Sequence, residues 1–153
     1  MAAQPFQGFL EEHGPAVYRF LVASVGALEA EDCFQETFMA ALRVYPRLRP
    51  DSNPRAWVMT IAHRKALDAH RSRRRRPEPV GSVPEAPGRS EDDGDPGVWR
   101  RVRTLPPRQR EAVVLRFVGD LPYRDVARAM GTTDAAARQN VRLALSRLRE
   151  EMT

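Results

Sequence analysis

In the C-terminal third the apolar residues recur with helical spacing. Tyr123, Val126, Ala127 and Met130 stand at i, i+3, i+4 and i+7, which predicts a short helix with one apolar face. Gly131 follows where a helix can end in a left-handed residue without Cβ strain. Thr132 or Thr133 can then cap a second helix by accepting an amide hydrogen bond, and Asp134 suits the positive end of that helix. The second helix is expected to bury Ala137, Val141, Ala144, Leu145 and Leu148 and to point Arg138, Gln139, Asn140 and Arg142 outward. Two helices joined by a short Gly-containing turn, the second bearing such side chains near its start, predict a helix-turn-helix. Arg can donate twice to guanine, and Gln or Asn can pair twice with adenine. An ordinary helical hairpin with a solvated basic face is the structural alternative.

The same period runs through the rest of the chain. Phe6, Phe9, Leu10 and His13 form one stripe, and Val17, Phe20, Leu21, Ser24 and Val25 a second, with Gly14-Pro15 expected to split them into two helices. His13 is read as a boundary residue. Residues 30–45 form an amphipathic helix with Phe34, Thr37, Phe38, Ala41, Leu42 and Tyr45 on its apolar stripe. Glu31, Asp32, Gln35 and Glu36 lie off that stripe, in the half where acidic groups complement the dipole. Cys33 is expected to pack as a small hydrophobe. After a loop over 46–53, Asn53 and Pro54 read as a cap and a first helical residue. The helix that follows packs through Trp57, Val58, Ile61, Ala62, Ala66 and Ala69 and ends in five arginines between 71 and 76. That density exceeds what capping requires and suits phosphate contact. Val98, Trp99, Val102 and Leu105 mark another short helix. Pro106-Pro107 closes it and opens the next, whose core residues are expected to be Val114, Leu115, Phe117 and Val118, with Gly119 at its end.

Charge changes the picture. Residues 1–76 hold 12 basic and 8 acidic side chains, residues 77–96 hold 1 and 6, and residues 97–153 hold 12 and 6. Two basic blocks therefore flank an acidic spacer, and the chain as a whole carries +5. The spacer holds five of the 13 prolines and almost no apolar residues, so it cannot offset the entropy of ordering. The expected fold class is all-α: two small helical domains, 1–76 and 97–153, joined by a flexible, disordered acidic linker over 77–96. A basic balance points to a polyanion partner. The single cysteine excludes an internal disulfide and suits a cytoplasmic setting. No apolar run of about 18 residues is present, so no membrane insertion is expected. Neither a phosphate-binding Gly loop, a nucleophile elbow nor paired His, Cys or carboxylate ligands are found, so the chain reads as a non-enzyme without metal or cofactor.

Three stretches together resemble the extracytoplasmic-function (ECF) subfamily of bacterial RNA polymerase sigma factors. They are AEDCFQETFMAALR (30–43), NPRAWVMTIAHRKALDAHR (53–71) and the segment opening with LPPRQREAVVLRFVGDLPYRDVARAMG (105–149). Their order, spacing and intervening linker match as well. The first two resemble segments of sigma region two, and the third resembles region four. The resemblance implies that Asp32, Gln35 and Glu36 dock on core RNA polymerase, whose large beta-prime and beta subunits are the partners. It implies that the loop from Arg49 to Arg55 (Arg49, Ser52, Asn53 and Arg55 here), with Arg64, Lys65 and Arg71 on the helix, captures the melted non-template strand of the minus-ten element. It implies that Thr133, Arg138, Gln139, Asn140 and Arg142 read the minus-thirty-five element as duplex. It also implies an anti-sigma protein as a further partner, although not every member has one. Arg64 stands where many members have Asn, and Asn140 and Leu143 occupy positions often basic, so the promoter read is expected to be individual. The competing readings are a free-standing helix-turn-helix regulator acting as a dimer, and an adaptor that never touches DNA. The first lacks an obvious dimerisation helix, and the outward arginines oppose the second.

Overall fold

The computed structural model describes residues 5–48, 53–75 and 96–151. Among them are seven α-helices, and one cluster of buried apolar side chains runs through all of the chain so described. The N-terminal half is a bundle of α1 (Phe6–Val25), α2 (Ala27–Val44) and α3 (Pro54–Arg75), each packed on the other two. A single 3₁₀ turn, Tyr45–Arg47, follows α2.

The expected break at Gly14-Pro15 does not occur. α1 is continuous, with Pro15 inside it. Proline removes one donor to the carbonyl four residues back, which belongs to Glu11. Both Pro15 and Glu11 face solvent, so water can serve that carbonyl, while Phe9, Val17, Phe20 and Leu21 stay buried on one face. Tertiary packing outweighs the local breaker. The chain turns instead at Gly26, whose φ of 89° is strained for any side-chain-bearing residue. Its amide donates to the Val22 carbonyl and its own carbonyl accepts from Ala30, so a single residue joins two helices.

Phe9 lies at the centre of the bundle. Its ring centroid is 5.8 Å from Phe6, 6.3 Å from Phe38, 5.1 Å from Tyr45 and 5.7 Å from Trp57. Burying a side chain of this size is worth about 1.5–3 kcal/mol, and aromatic pairs add to that. His13 joins this cluster rather than a boundary: it is buried, 4.8 Å from the Phe9 ring, and burial pushes its pKa below the ordinary value.

The C-terminal half contains α4 (Pro96–Arg103), α5 (Pro107–Phe117), α6 (Tyr123–Met130) and α7 (Asp134–Glu151). Pro96 opens a helix, which shortens the expected spacer by one residue; the rest of that spacer lies outside the described residues. α7 is the common wall against which α4, α5 and α6 pack. Phe117 and Leu145, expected in the core, are exposed, and so is Leu42 on α2. Ala112 and Val113 take the place of Phe117 in the core, and α7 needs only Ala137, Val141, Ala144 and Leu148.

The two halves touch. α1 packs against α4 and α5, and α3 against α5 and α6. His63 Nε2 on α3 lies 3.3 Å from Glu111 Oε1 on α5, both side chains being less than one-tenth exposed. The contact is close enough for an ion pair yet is not aligned as a hydrogen bond. Arg103 donates to the Val22 carbonyl at 3.4 Å, and Arg55 Nε donates to the Gly119 carbonyl at 3.2 Å.

Candidate nucleic-acid interface

The helix-turn-helix forms as its sequence predicts. Gly131 adopts φ 67°, ψ 39°, and the amide of Thr132 returns to the Ala127 carbonyl at 2.9 Å. Thr133 is the cap: its hydroxyl accepts from the Ala136 amide at 3.1 Å. Arg108 of α5 braces the turn from behind. It donates to the Met130 carbonyl at 2.9 Å and to Glu111 at 3.0 Å. Glu111 thus holds together the turn, α5 and, through His63, the N-terminal half. Burial alone would push its carboxyl up, but His63, Arg108 and Arg110 outweigh burial and hold its pKa below the ordinary value.

On α7, Arg138, Gln139 and Arg142 are exposed and Asn140 is half-buried. The Asn140 amide donates back to the Ala136 carbonyl at 3.0 Å, and Arg142 donates to Gln139 Oε1 at 3.0 Å. The Arg138 guanidinium lies over the Tyr123 ring, 4.5 Å from its centroid. These residues, with Thr133, are brought together at the N-terminal part of one helix.

The residues expected to capture single-stranded DNA are more dispersed. Arg49 and Ser52 lie outside the described residues. Asn53 caps α3 by accepting from the Ala56 amide at 3.2 Å. Arg55 is spent on the Gly119 carbonyl of the other half. Arg64 is exposed, and Arg71 lies 3.7 Å from Asp68. Of the arginine cluster beyond it, Arg73 pairs with Glu29 at 3.0 Å. Lys65 instead lines a groove of about 330 Å³ between α2 and α3, together with Glu29, Asp32, Glu36 and Asp68. The structure therefore sets one predicted DNA residue beside the predicted docking residues.

Asp32, Gln35 and Glu36 are all exposed on α2. Sequence reasoning missed what surrounds them. Leu28, Met39 and Leu42 are 72%, 58% and 54% exposed. Leu28, Asp32, Gln35, Met39 and Leu42 succeed one another at intervals of four and three, the spacing of a seam that meets another helix. A second stripe, off the core side, was the available signal. Cys33 lies between the two stripes, buried, with its thiol pushed up to about 11 by burial and by Glu29, Glu36, Asp32 and Asp68.

Two family models match the chain: Sigma-70 region 2 over residues 9–76 and Sigma-70 region 4 over residues 97–148. The RNA polymerase sigma factor CarQ of Myxococcus xanthus is 32% identical, over 97% of this chain and 90% of that protein. The ECF RNA polymerase sigma factor SigD of Mycobacterium tuberculosis is 35% identical, over 94% of this chain and 74% of its own length. The chain belongs to the ECF subfamily of RNA polymerase sigma factors. Among solved structures, the sigma factor RpoE of Bartonella quintana in complex with the anti-sigma factor NepR matches at a TM-score of 0.78 and 27% identity, over 95% of this chain and 94% of that one.

As a sigma factor it is a subunit of transcription initiation, and sigma factors are in general non-catalytic regulators. The free-standing regulator is not favoured. Among the described residues, no helix is long and apolar enough to cross a membrane, and no group of three or more His, Cys, Asp or Glu could hold a metal ion.

Proposed function

We propose that this ECF sigma factor divides its work between residues 1–76, which dock on core polymerase and capture the melted minus-ten strand, and residues 97–153, which read the minus-thirty-five duplex. Residues 77–96 join the two. The α2 seam carries the docking assignment: Leu28, Met39 and Leu42 are too exposed for a face that meets only water, and Asp32, Gln35 and Glu36 interleave with them. Its partner is a helical, basic surface of the large polymerase subunits. Arg55, Arg64, Lys65 and Arg71 on α3, with Arg49, Ser52 and the cap Asn53 before it, follow the strand backbone while unstacked bases are held. Thr133, Arg138, Gln139, Asn140 and Arg142 meet the duplex in the major groove. The protein acts in the cytoplasm, without catalysing a reaction of its own.

The arrangement of the halves bears on this assignment. Elements centred near minus ten and minus thirty-five lie about 25 base pairs apart, or about 85 Å along the duplex at 3.4 Å per pair. Two halves in direct contact do not span that distance. Promoter binding therefore requires them to part, which frees Arg55 from Gly119 and separates His63 from Glu111. A solved relative that matches over nearly the whole chain is bound to an anti-sigma factor, which supports an anti-sigma protein as the partner that holds this chain closed.

Pull-down of purified core polymerase tests the docking assignment. Asp32→Ala with Glu36→Ala, and separately Met39→Ser with Leu42→Ser, are expected to weaken assembly at least tenfold while leaving helicity and melting temperature near the parent values. Unchanged assembly in both pairs overturns the assignment.

A further inference from the structure

The Tyr123 ring, at the first position of α6, has two guanidiniums against it. Arg116 Cζ of α5 lies 4.4 Å from the ring centroid and Arg138 Cζ of α7 lies 4.5 Å from it. Arg116 is fixed in its own right, because it also donates to the Leu121 carbonyl at 3.0 Å. The ring is half-buried and packs on the core edge. It is therefore held on two sides before Arg138 reaches it.

The consequence for Arg138 differs from that of a salt bridge. A carboxylate would fix the guanidinium by consuming its donors. Contact with a ring face holds the guanidinium in place without spending its N–H groups on a carboxylate or carbonyl. Arg138 has no carboxylate or carbonyl partner among the described residues, whereas its neighbours are committed: Arg142 to Gln139, and the Asn140 amide to Ala136. Of the side chains at 138, 139, 140 and 142, Arg138 alone is both oriented and undischarged. It stands in the second turn of α7, at the end of a recognition helix that meets base edges. A flexible arginine would lose rotamer freedom on binding any sequence. One already oriented gains most from the base pair that matches its fork.

We infer that Tyr123 is a specificity-determining positioning residue, whose ring holds the Arg138 guanidinium with its donors open to the base edges of the minus-thirty-five duplex. The inference rests on the assignment of α7 to that duplex. Tyr123 acts through Arg138, so its ring matters and its hydroxyl does not. Phe at this position should serve, and Leu, which keeps the apolar packing, should not.

The test is run-off transcription by core polymerase reconstituted with the full chain, on promoters randomised across the minus-thirty-five element. Arg138→Ala is expected to flatten preference by at least fivefold at one or two base pairs. Tyr123→Leu should flatten the same base pairs, and Tyr123→Phe should stay within twofold of the parent. Tyr123→Leu combined with Arg138→Ala should be no flatter than Arg138→Ala alone. Parental preferences in Tyr123→Leu, alongside flattening in Arg138→Ala, overturn the positioning role but leave the α7 assignment intact. Parental preferences in Arg138→Ala overturn the base-reading assignment and the inference with it. Nuclear magnetic resonance of the free chain gives a readout independent of transcription. The Arg138 δ-protons should carry an upfield ring-current shift that Tyr123→Phe keeps and Tyr123→Leu loses; random-coil shifts in the parent contradict the inference.

Discussion

The two candidate DNA surfaces of this sigma factor are built in opposite ways. The proposed duplex-reading set lies at one capped helix start, within ten residues, with Thr133, Arg138, Gln139 and Arg142 exposed and Asn140 half-buried. The strand-capturing set is spread along α3 and the segment before it, and its members are partly engaged inside the chain: Arg55 with Gly119, Arg71 near Asp68, and Lys65 in a carboxylate-lined groove. The difference follows from the targets. Duplex DNA has a fixed groove, so a preformed helix face suits it. A melted strand exists only after promoter opening, so its receptor can stay engaged by internal partners until then; of these ties only that of Arg55 to Gly119 joins the two halves and is freed when they part. One half is preorganised, and in the other Arg55 is released when the two part.

Breaking the contact between the halves should have the largest effect. Glu111→Ala leaves His63 buried without its partner and takes the brace from Arg108, at a cost of about 3–5 kcal/mol. For a chain of this size that lowers the melting temperature by about 10 °C in calorimetry. The dependence on pH has a definite sign. Because the folded Glu111 carboxyl sits below its ordinary value, its contribution is complete above the usual carboxylate range and is lost as the pH falls through the lower folded value. Glu111→Gln should therefore flatten the acid side of the stability profile and leave the alkaline side unchanged.

A smaller and more discriminating effect is expected from Arg55→Ala. It removes a tie between the halves and, at once, a proposed strand contact. The free chain should open more readily, while the salt dependence of promoter binding should fall by about one counterion. Loss of the tie without a change in salt slope would confine Arg55 to a structural role. The smallest change is Thr133→Ala, which removes the α7 cap at a cost of about 1 kcal/mol. Binding to minus-thirty-five duplex by the holoenzyme should weaken modestly and evenly across sequences.

The preorganised half was the more legible one. Tyr123, Val126, Ala127 and Met130, the left-handed Gly131, a threonine cap at 132 or 133 (Thr133 in the structure) and the buried Ala137, Val141 and Ala144 all follow from local spacing and turn chemistry. So does the Asn53-Pro54 start of α3. What failed depended on partners far along the chain. α1 runs through Pro15 because both sides of it bury against one bundle. His63 meets Glu111 from a different half, which spacing within α3 cannot reveal. Leu42 has the right period for the core stripe yet sits on the exposed seam, because 3.6-residue periodicity does not tell which of two adjoining apolar stripes faces inward. The Tyr123–Arg138 contact joins two helices across a turn and needs coordinates to be seen.

The most direct measurement is a distance between the halves, free and at work. Spin labels at Arg19 on α1 and Arg147 on α7, both exposed, can be introduced as cysteines in a Cys33→Ala background and read by pulsed electron resonance. A single short distance is expected in the free chain, lengthening by tens of ångströms in holoenzyme bound to an active promoter. An unchanged short distance in a complex that initiates transcription would contradict the account.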